Sequence, residues 1–589
     1  MNDSFAFLFF QRMRMPLIVL ISAYAIATVG FTFMPGVDEE GNPWRLSLFE
    51  AFYIVSYTGS TIGFGEVPYP FSAAQRLWTI VSIYLTVIAW LFSIGTIISL
   101  LQDPAFRRHR QRARVRRGVA AIDQPFYLVC GLGDTGRLLV RALSDRDHPV
   151  VVIDHDAHKI DALGVETHRA SVVASCMDAR LPANLVEVGL RSRWCVGVLA
   201  VTGDDKANLK IAVTTKLLNQ RCHARARADE REVAENMRSF ATDQVVNPVE
   251  EYIQRLRLAF ERPAAFRLYH WLQSGPDARL PETRQPPRGH WILCGFGRLG
   301  KAVHALLVDL GLEVTVIEEN ETLEGLPPGT IQGRGTQADT LEEAGIKGSV
   351  GILATTRDDV DNLSILITAR ALNPELFLGV LENGLSSHEL FRAAEPDFIG
   401  QPSRVIAGSM LARISAPLVD PFIAGMIAAD ESICGKLIER LESLADGLPP
   451  DFLSFRISER RAPALARLLA QGIEITLDDL ISDPLQPGRR WPLEVLLLRR
   501  DNENTLLPDG STALALGDHM LLAGQPGIGR RLANVLENDN ALARALTGQD
   551  LHHGWLWTRL FGQQRLEMAV SGKQLRMPDE QASKQEQDL

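Results

Sequence analysis

Two apolar segments dominate the hydrophobic pattern: residues 17–34 and 77–101 carry no charge over 18 and 25 positions, and nothing downstream approaches that length. A hydrocarbon core about 30 Å thick needs about 20 helical residues, so both are expected to span a bilayer, the first with little to spare. A signal peptide is the poorer reading of the first, because no A-x-A-like cleavage site precedes Pro35 and a second span follows. Basic residues set the orientation. Arg12 and Arg14 precede the first segment and seven arginines lie between 107 and 117, whereas the intervening loop has Arg45 and Arg76 beside Asp38, Glu39, Glu40, Glu50 and Glu66. The positive-inside rule then places both termini in the cytoplasm, as in a multi-pass protein of the cell membrane. Residues 3–15, with Phe5, Phe7, Phe9 and Phe10 beside the two arginines, suit an interfacial helix leading into the first span.

Between the spans, residues 45–57 (RLSLFEAFYIVSY) are apolar and aromatic but too short to cross, and Thr58-Gly59-Ser60-Thr61-Ile62-Gly63-Phe64-Gly65-Glu66 follows at once. This predicts a re-entrant helix over 45–58, since non-helical backbone at membrane depth is tolerated only where it lines a water-filled cavity. Gly63 and Gly65 permit backbone angles that turn successive carbonyls the same way, with Ile62 and Phe64 pointing outward as a brace. Carbonyls of Thr61, Ile62, Gly63 and Phe64, with the Thr61 hydroxyl, then replace the hydration shell of a dehydrated cation. One chain supplies one such loop, so a closed ring needs a symmetric homo-oligomer.

The motif Thr58-x-x-Thr61-x-Gly63-Phe64-Gly65-Glu66 resembles the selectivity filter of the two-helix potassium channel family. The resemblance covers residues 1–105 and implies K+ as permeant ion, a filter over 61–66 and a homotetramer in the lipid bilayer. Two positions depart from the commonest pattern, with Phe64 where Tyr is usual and Glu66 where Asp is usual. Phe64 lacks a hydroxyl that tethers the filter wall, which bears on the strictness of selectivity; Glu66 keeps a carboxylate near the outer mouth. Gly95, in the lower half of the second span, suits either a gating hinge or a helix-packing contact.

Past the arginine run the pattern changes to buried strands alternating with amphipathic helices, and it does so twice. A strand at 126–130 leads into Gly131-Leu132-Gly133-Asp134-Thr135-Gly136, a helix, and a strand at 150–154 ending in Asp154. A strand at 291–294 leads into Gly295-Phe296-Gly297-Arg298-Leu299-Gly300, a helix, and a strand at 314–318 ending in Glu318, every landmark 164 residues further on. Thr202-Gly203-Asp204-Asp205 with Asn208 matches Thr356-Arg357-Asp358-Asp359 with Asn362 at an offset of 154. Constant offsets over several motifs indicate duplicated domains of about 160 residues. In each GxGxxG the first glycine makes a tight turn, the second admits a phosphate to the helix N-terminus, and the third lets helix pack on strand. Asp154 and Glu318 are placed to bind ribose hydroxyls and to repel a 2′-phosphate, which favours NAD or an adenine nucleotide over NADP. Arg298 adds a phosphate partner to the second loop.

Neither copy is followed by a substrate domain or a catalytic constellation. His155 and His158 lie on an expected surface loop and Cys130 and Cys294 end buried strands, so binding without chemistry is expected, and the chain is not read as an enzyme. Two Rossmann-like domains behind a two-helix pore resemble the regulator-of-potassium-conductance (RCK, TrkA-N-like) family. The resemblance covers residues 124–275 and 288–525. Asn247-Pro248 looks like that family's crossover into its dimerisation helices, and 436–525 like its small C-terminal subdomain, which the first copy lacks. It also raises a divalent cation such as Ca2+, for which Asp204, Asp205, Asp358, Asp359 and Asp361 offer carboxylates; the spacing matches no calcium loop, and capping is the better reading of them.

The expected organisation is therefore multidomain: an all-α transmembrane pore (1–105, two spans plus a re-entrant pore helix), a linker (106–124), and two α/β Rossmann-like domains (125–275 and 289–435) joined by a second linker (276–288). A small α+β subdomain (436–525) and a helical segment with a disordered tail (526–589) complete it. Composition adds exclusions: 589 residues are too many for one core, a net charge of −10 argues against nucleic acid as a partner, and six scattered cysteines suit a reducing compartment. A ligand-gated potassium channel accounts for all of these features. A weakly selective cation channel is the nearest alternative, while a membrane-anchored NAD-dependent enzyme leaves the filter motif unexplained and a transporter's regulatory subunit has no need of its own spans.

Overall fold

The computed structural model describes residues 3–102, 104–273, 284–445, 450–483, 490–525 and 527–548. Most of the expected second linker and the whole expected tail lie outside these residues. Two compact units divide the chain at Ala121.

In the N-terminal unit, α1 (Asp3–Phe33) is followed by a short hairpin of β1 (Gly36–Val37) and β2 (Pro43–Trp44), then α2 (Leu48–Gly59), α3 (Ala73–Gln102) and α4 (Pro104–Ala120). The stretches long and apolar enough to cross a membrane are Met13–Phe33 and Ala73–Leu100. Helix α1 therefore runs on through Pro16, the residue before the uncharged stretch of the first span. Proline lacks the N–H that would bond to the carbonyl four residues earlier and so removes one ladder hydrogen bond; at the same turn Ser93 Oγ of α3 donates to the Pro16 carbonyl at 3.4 Å and ties the two helices together. The arginine run is helical as well, where a linker was expected. Helix α2 starts at a capping box, Ser47 accepting from Glu50 N–H while the Glu50 carboxylate accepts from Ser47 N–H at 2.8 Å. It packs against α1 through Ala27, Phe31, Ala51, Ile54 and Val55, all buried. A Cβ on Gly59 would meet Tyr24 Oη at 2.6 Å and Thr86 Cβ at 3.3 Å, so only glycine lets the end of α2 sit between the two long helices.

The C-terminal unit opens with β3 (Phe126–Cys130), α5 (Asp134–Asp145), β4 (Val150–Asp154), α6 (Ala157–Leu163), β5 (Val172–Cys176) and α7 (Pro182–Glu187). It continues with β6 (Cys195–Ala200), α8 (Asp205–Leu218), β7 (His223–Arg227), α9 (Arg231–Ser239), β8 (Gln244–Val246), α10 (Pro248–Glu261) and α11 (Pro263–Gln273). The six strands form one parallel sheet in the order β5-β4-β3-β6-β7-β8. The second domain repeats the plan with β9 (His290–Cys294), α12 (Arg298–Asp309), β10 (Glu313–Glu318), β11 (Ile331–Gln332), α13 (Ala338–Glu343), β12 (Gly351–Ala354) and α14 (Asp359–Leu372). It closes with β13 (Phe377–Leu381), α15 (His388–Ala393), β14 (Phe398–Gly400), α16 (Pro402–Ser415) and α17 (Val419–Ala428), its parallel sheet ordered β11-β10-β9-β12-β13-β14. Both are doubly wound sheets whose ligand crevice lies beyond the carboxyl ends of the central strands.

The domains exchange their crossover helices. Tyr252, Leu256 and Phe260 of α10 belong to the second domain's core with Trp291, Phe377 and Phe398. Reciprocally, Ile406, Ala407 and Met410 of α16 complete the first domain's core with Val129, Leu139 and Leu199. Gln244 Nε2 donates across this seam to Ser409 O at 3.2 Å and to Ser409 Oγ at 3.0 Å. Neither core is closed without the other domain.

After α18 (Glu431–Ala445), strands β15 (Asp451–Arg456), β16 (Leu493–Arg500), β17 (Glu503–Leu506) and β18 (His519–Gly524) form an antiparallel sheet ordered β15-β18-β16-β17, with α19 (Pro463–Ala470) and α20 (Leu477–Leu480) inserted. Helices α21 (Ile528–Glu537) and α22 (Asp539–Thr547) were expected to stand apart from this subdomain. Instead Leu532, Val535, Leu542 and Leu546 share its core with Leu465, Leu468, Met520 and Leu522, so the subdomain extends to Thr547. The sheet's other side packs Leu496, Leu497, Leu521 and Ala523 against α11, α17 and α18.

Burial in this packing perturbs His270 on α11, whose pKa is pulled down to about 4 by desolvation and then by the charge of Arg255. A folded-state value below the unfolded one means that protonation favours unfolding. The neutral ring's contribution is complete above pH 6.5 and is lost as pH falls to about 4, amounting to about 3 kcal/mol at the lower limit. His270→Gln is therefore expected to flatten the fall in thermal stability of the C-terminal unit between pH 6.5 and 4. An unchanged slope would assign the acid lability to other groups.

Candidate functional site

Immediately after α2, Thr61, Gly63 and Gly65 have φ of +63°, +63° and +71°. Alternation of left-handed residues with Ile62 and Phe64 turns successive peptide planes so that their carbonyls share one side of the strand. Thr61 was not expected to need such an angle, and for a β-branched residue it carries strain of about 1–3 kcal/mol. The backbone N–H groups turn inward to the helix end: Ile62 and Gly63 both donate to Tyr57 O, at 3.0 and 3.1 Å, and Thr61 donates to Thr58 O. Among the described residues, no hydrogen bond is made to the carbonyls of Thr61, Ile62, Gly63 or Phe64.

Tyr53 and Tyr57, one turn apart on α2, were not singled out in the sequence and hold the far end of this segment. Tyr53 Oη donates to Glu66 Oε2 and Tyr57 Oη to Glu66 O, each at 3.1 Å, and the Tyr57 ring meets Phe64 edge-on at 6.4 Å. The tether that Phe64 cannot supply thus comes from α2. The signal was an i, i+4 tyrosine pair in an apolar, aromatic-rich helix, which sequence alone reads as core. A Cβ on Gly95 would meet nothing within 4 Å, so a packing role there has no partner within the described residues of one chain.

In the C-terminal unit the two glycine loops are built alike. Gly131 and Gly295 have φ of +103° and +92°, and added Cβ atoms would lie 2.8 and 3.1 Å from the backbone nitrogens of Thr202 and Thr356. On Gly136 and Gly300 a Cβ would fall 2.0 Å from the carbonyl oxygens of Gly131 and Gly295. On Gly133 and Gly297, the N-cap residues of α5 and α12, it would point into open space. The first and third glycines serve packing, and the second leaves the cradle that a phosphate needs. At the helix starts Thr135 is buried and Leu299 packs on the second domain's core, so these positions present backbone only.

Asp154 and Glu318 already hold the loops. Asp154 Oδ2 accepts from Leu132 N–H at 2.5 Å and Oδ1 from Asp156 N–H at 2.8 Å; Glu318 Oε2 and Oε1 accept from Phe296 and Asn320 N–H at 2.6 and 3.0 Å. Each of these carboxylate oxygens accepts one bond, which leaves further lone pairs beside the glycine loops.

Each glycine loop also touches the other domain, which no local sequence signal announces. Leu385 N–H donates to Asp134 Oδ2 at 3.1 Å, and Arg298 Nη1 lies 3.9 Å from Asp229 Oδ2. The carboxylates offered for a cation are used differently. Asp205 accepts from the N–H groups of Asp229 and Glu230, and Asp359 from those of Asn383 and Gly384, while Asp204 and Asp358 cap α8 and α14. Among the described residues no group of three His, Cys, Asp or Glu could hold a metal ion. Burial pushes the Cys130 thiol upward and that of Cys294 to about 12, and His155 is exposed. Neither thiol is poised as a nucleophile.

Comparison with known proteins matches these two regions separately. The ion-channel family model covers residues 18–103, and the TrkA-N domain model covers residues 127–248 and 291–399. Potassium channel protein 1 of Methanocaldococcus jannaschii is 23% identical over 240 residues, which are 41% of this chain and 67% of that protein. Probable potassium channel protein 2 of the same organism is 29% identical over 154 residues, 24% of this chain and 45% of that one. The matched stretches thus span about two thirds of the first relative and under half of the second. Among solved structures, the GsuK channel bound to NAD aligns over 90% of this chain and 98% of its own at 17% identity, with a TM-score of 0.43.

Proposed function

Taking the chain as a two-span potassium channel protein with tandem RCK (TrkA-N) domains, we propose that four copies form a K+-conducting pore gated by nucleotide binding. The observation that carries this is the left-handed alternation at Thr61, Gly63 and Gly65, with four carbonyls in a row that accept no hydrogen bond. In a closed ring of several copies such a row can replace the hydration shell of a dehydrated cation. Assembly is supported by Val360 and Ile367 on α14, 74% and 59% exposed. Both termini and the RCK domains lie in the cytoplasm in this reading, and NAD or an adenine nucleotide occupies the cradles at Gly133 and Gly297. No reaction is assigned to the bound nucleotide.

Gating is a matter of differential affinity. Moving a pore from 1:99 to 99:1 needs about a 10⁴-fold total preference for one state, which eight sites in a tetramer reach with about three-fold each. Helix α4 is the covalent route from the pore to the first nucleotide domain.

Flux from liposomes tests the reading: potassium should exceed sodium, and NAD, ADP or ATP should change it. Equal fluxes would replace it with a weakly selective channel, and no flux under any nucleotide would overturn it. Tyr53→Phe is expected to lower the potassium-to-sodium permeability ratio roughly five-fold, the equivalent of about one net hydrogen bond, in reversal potentials under bi-ionic conditions. An unchanged ratio would mean that the Tyr53–Glu66 bond does not stiffen the filter.

A further inference from the structure

The two nucleotide domains are copies, and beyond the Thr-x-Asp-Asp segments each position of one has a counterpart 154 residues away in the other, so their differences are informative. Glu382, just past β13, is 2% exposed and stands where the first domain has Ala228; His388, opening α15, stands where it has Ala234. Both alanines are fully buried. Gln401 stands where the first domain has Asn247, which caps α10 by accepting from Val249 and Glu250 N–H at 2.9 and 3.2 Å. Gln401 makes no such cap on α16 and instead donates to Glu382 Oε2, which also meets His388 Nδ1 at 3.1 Å. Glu382 Oε1 has no partner among the described residues.

Burying a carboxylate and giving up a cap both cost stability, and the first domain folds the same way without either. Both domains tie this loop through an aspartate, Asp205 in the first and Asp359 in the second, so what the second domain gains is a further anchor at the loop's base. Residues 382–385 are tied below by this cluster and by Asp359, which accepts from Asn383 and Gly384 N–H, and at the tip Leu385 N–H donates to Asp134. Asp134 is the first residue of α5, beside the phosphate cradle of the first domain. A carboxylate fixed there opposes a phosphate arriving at the same helix terminus. Its counterpart in the second domain is Arg298, of the opposite charge.

We propose that the first nucleotide site is held shut by a clasp from the second domain: the Glu382–His388–Gln401 cluster fixes the loop whose Leu385 N–H keeps the Asp134 carboxylate at the mouth of α5. The second site, with Arg298, fills first, and the first accepts a nucleotide phosphate when the clasp opens. This rests on the nucleotide reading above and makes the two sites unequal by construction.

The test uses the full chain in detergent with Gly297→Ala blocking the second cradle and ADP as the probe. Glu382→Ala with His388→Ala, which restores the first domain's residues, is expected to tighten ADP binding about ten-fold, the equivalent of one lost backbone-to-carboxylate hydrogen bond. Gln401→Asn regains the helix cap and should act in the same direction without loss of thermal stability. Unchanged or weaker binding in both variants would overturn the clasp. Hydrogen exchange at the Leu385 amide gives a readout free of nucleotide: it should be slow in the parent chain and faster by about ten-fold in either variant. Equal rates would also overturn the proposal. If the parent chain with both cradles intact binds no ADP, the nucleotide reading fails, and the Leu385 exchange rates still decide whether the clasp exists.

Discussion

Replacing Gly63 with Ala is expected to abolish potassium flux while leaving the C-terminal unit's thermal stability unchanged. Gly63 has φ of +63°, and a Cβ built there meets nothing within 4 Å, so no clash within one chain is responsible. The cost is conformational: an L-residue in the left-handed region loses roughly 1–2 kcal/mol, which the segment recovers by swinging the residue back to negative φ. That swing rotates the flanking peptide planes and turns their carbonyls away from their neighbours. In a symmetric tetramer the change occurs four times in one ring. Liposome flux and thermal unfolding, measured on the same preparation, check both halves. Flux above about a tenth of the parent's, a cost under 1.4 kcal/mol, would show that the carbonyl alternation is not what conducts.

The second large effect separates the glycines of one loop by role. Gly297→Ala places a Cβ in open space at φ −67°, an angle any residue adopts, so folding should be unharmed or slightly improved. The same methyl occupies the cradle at the start of α12, and the phosphate loses close approach to backbone N–H groups. Charge-assisted hydrogen bonds of this kind contribute about 1.5–3 kcal/mol, so the affinity of the second site for ADP or NAD should fall by roughly 10- to 150-fold. Gly300→Ala behaves differently, because its Cβ falls 2.0 Å from Gly295 O. Helix and strand must separate, so stability and binding are lost together. Calorimetric titration beside a melting curve distinguishes the two. Parent-like binding in Gly297→Ala would remove the phosphate cradle from this loop.

Local patterns in the sequence were sufficient for the architecture. Uncharged runs, GxGxxG between strand and helix, and constant offsets of 164 and 154 residues depend on neighbours in the chain, and the sheets, the loops and the short helix between the spans can be read from them. The left-handed angles at Gly63 and Gly65 follow from the absence of a Cβ, which is also local.

What the tertiary structure decided involves residues far apart in the chain. The exchange of α10 and α16 between domains has no local signature, since an amphipathic helix does not say which core it will complete. Asp205 and Asp359, read in the sequence as caps in preference to cation ligands, become loop fasteners once the chain brings Asp229 and Asn383 to them. Tyr53 and Tyr57 look like core until the 61–66 segment folds back to place Glu66 against them. Helices α21 and α22 read as an appendage because their apolar faces do not reveal a partner sheet; burial assigns them to the subdomain. Periodicity records which face of an element must be buried. Which surface buries it, and which polar group is then left to satisfy, is settled only when distant segments compete for the same space.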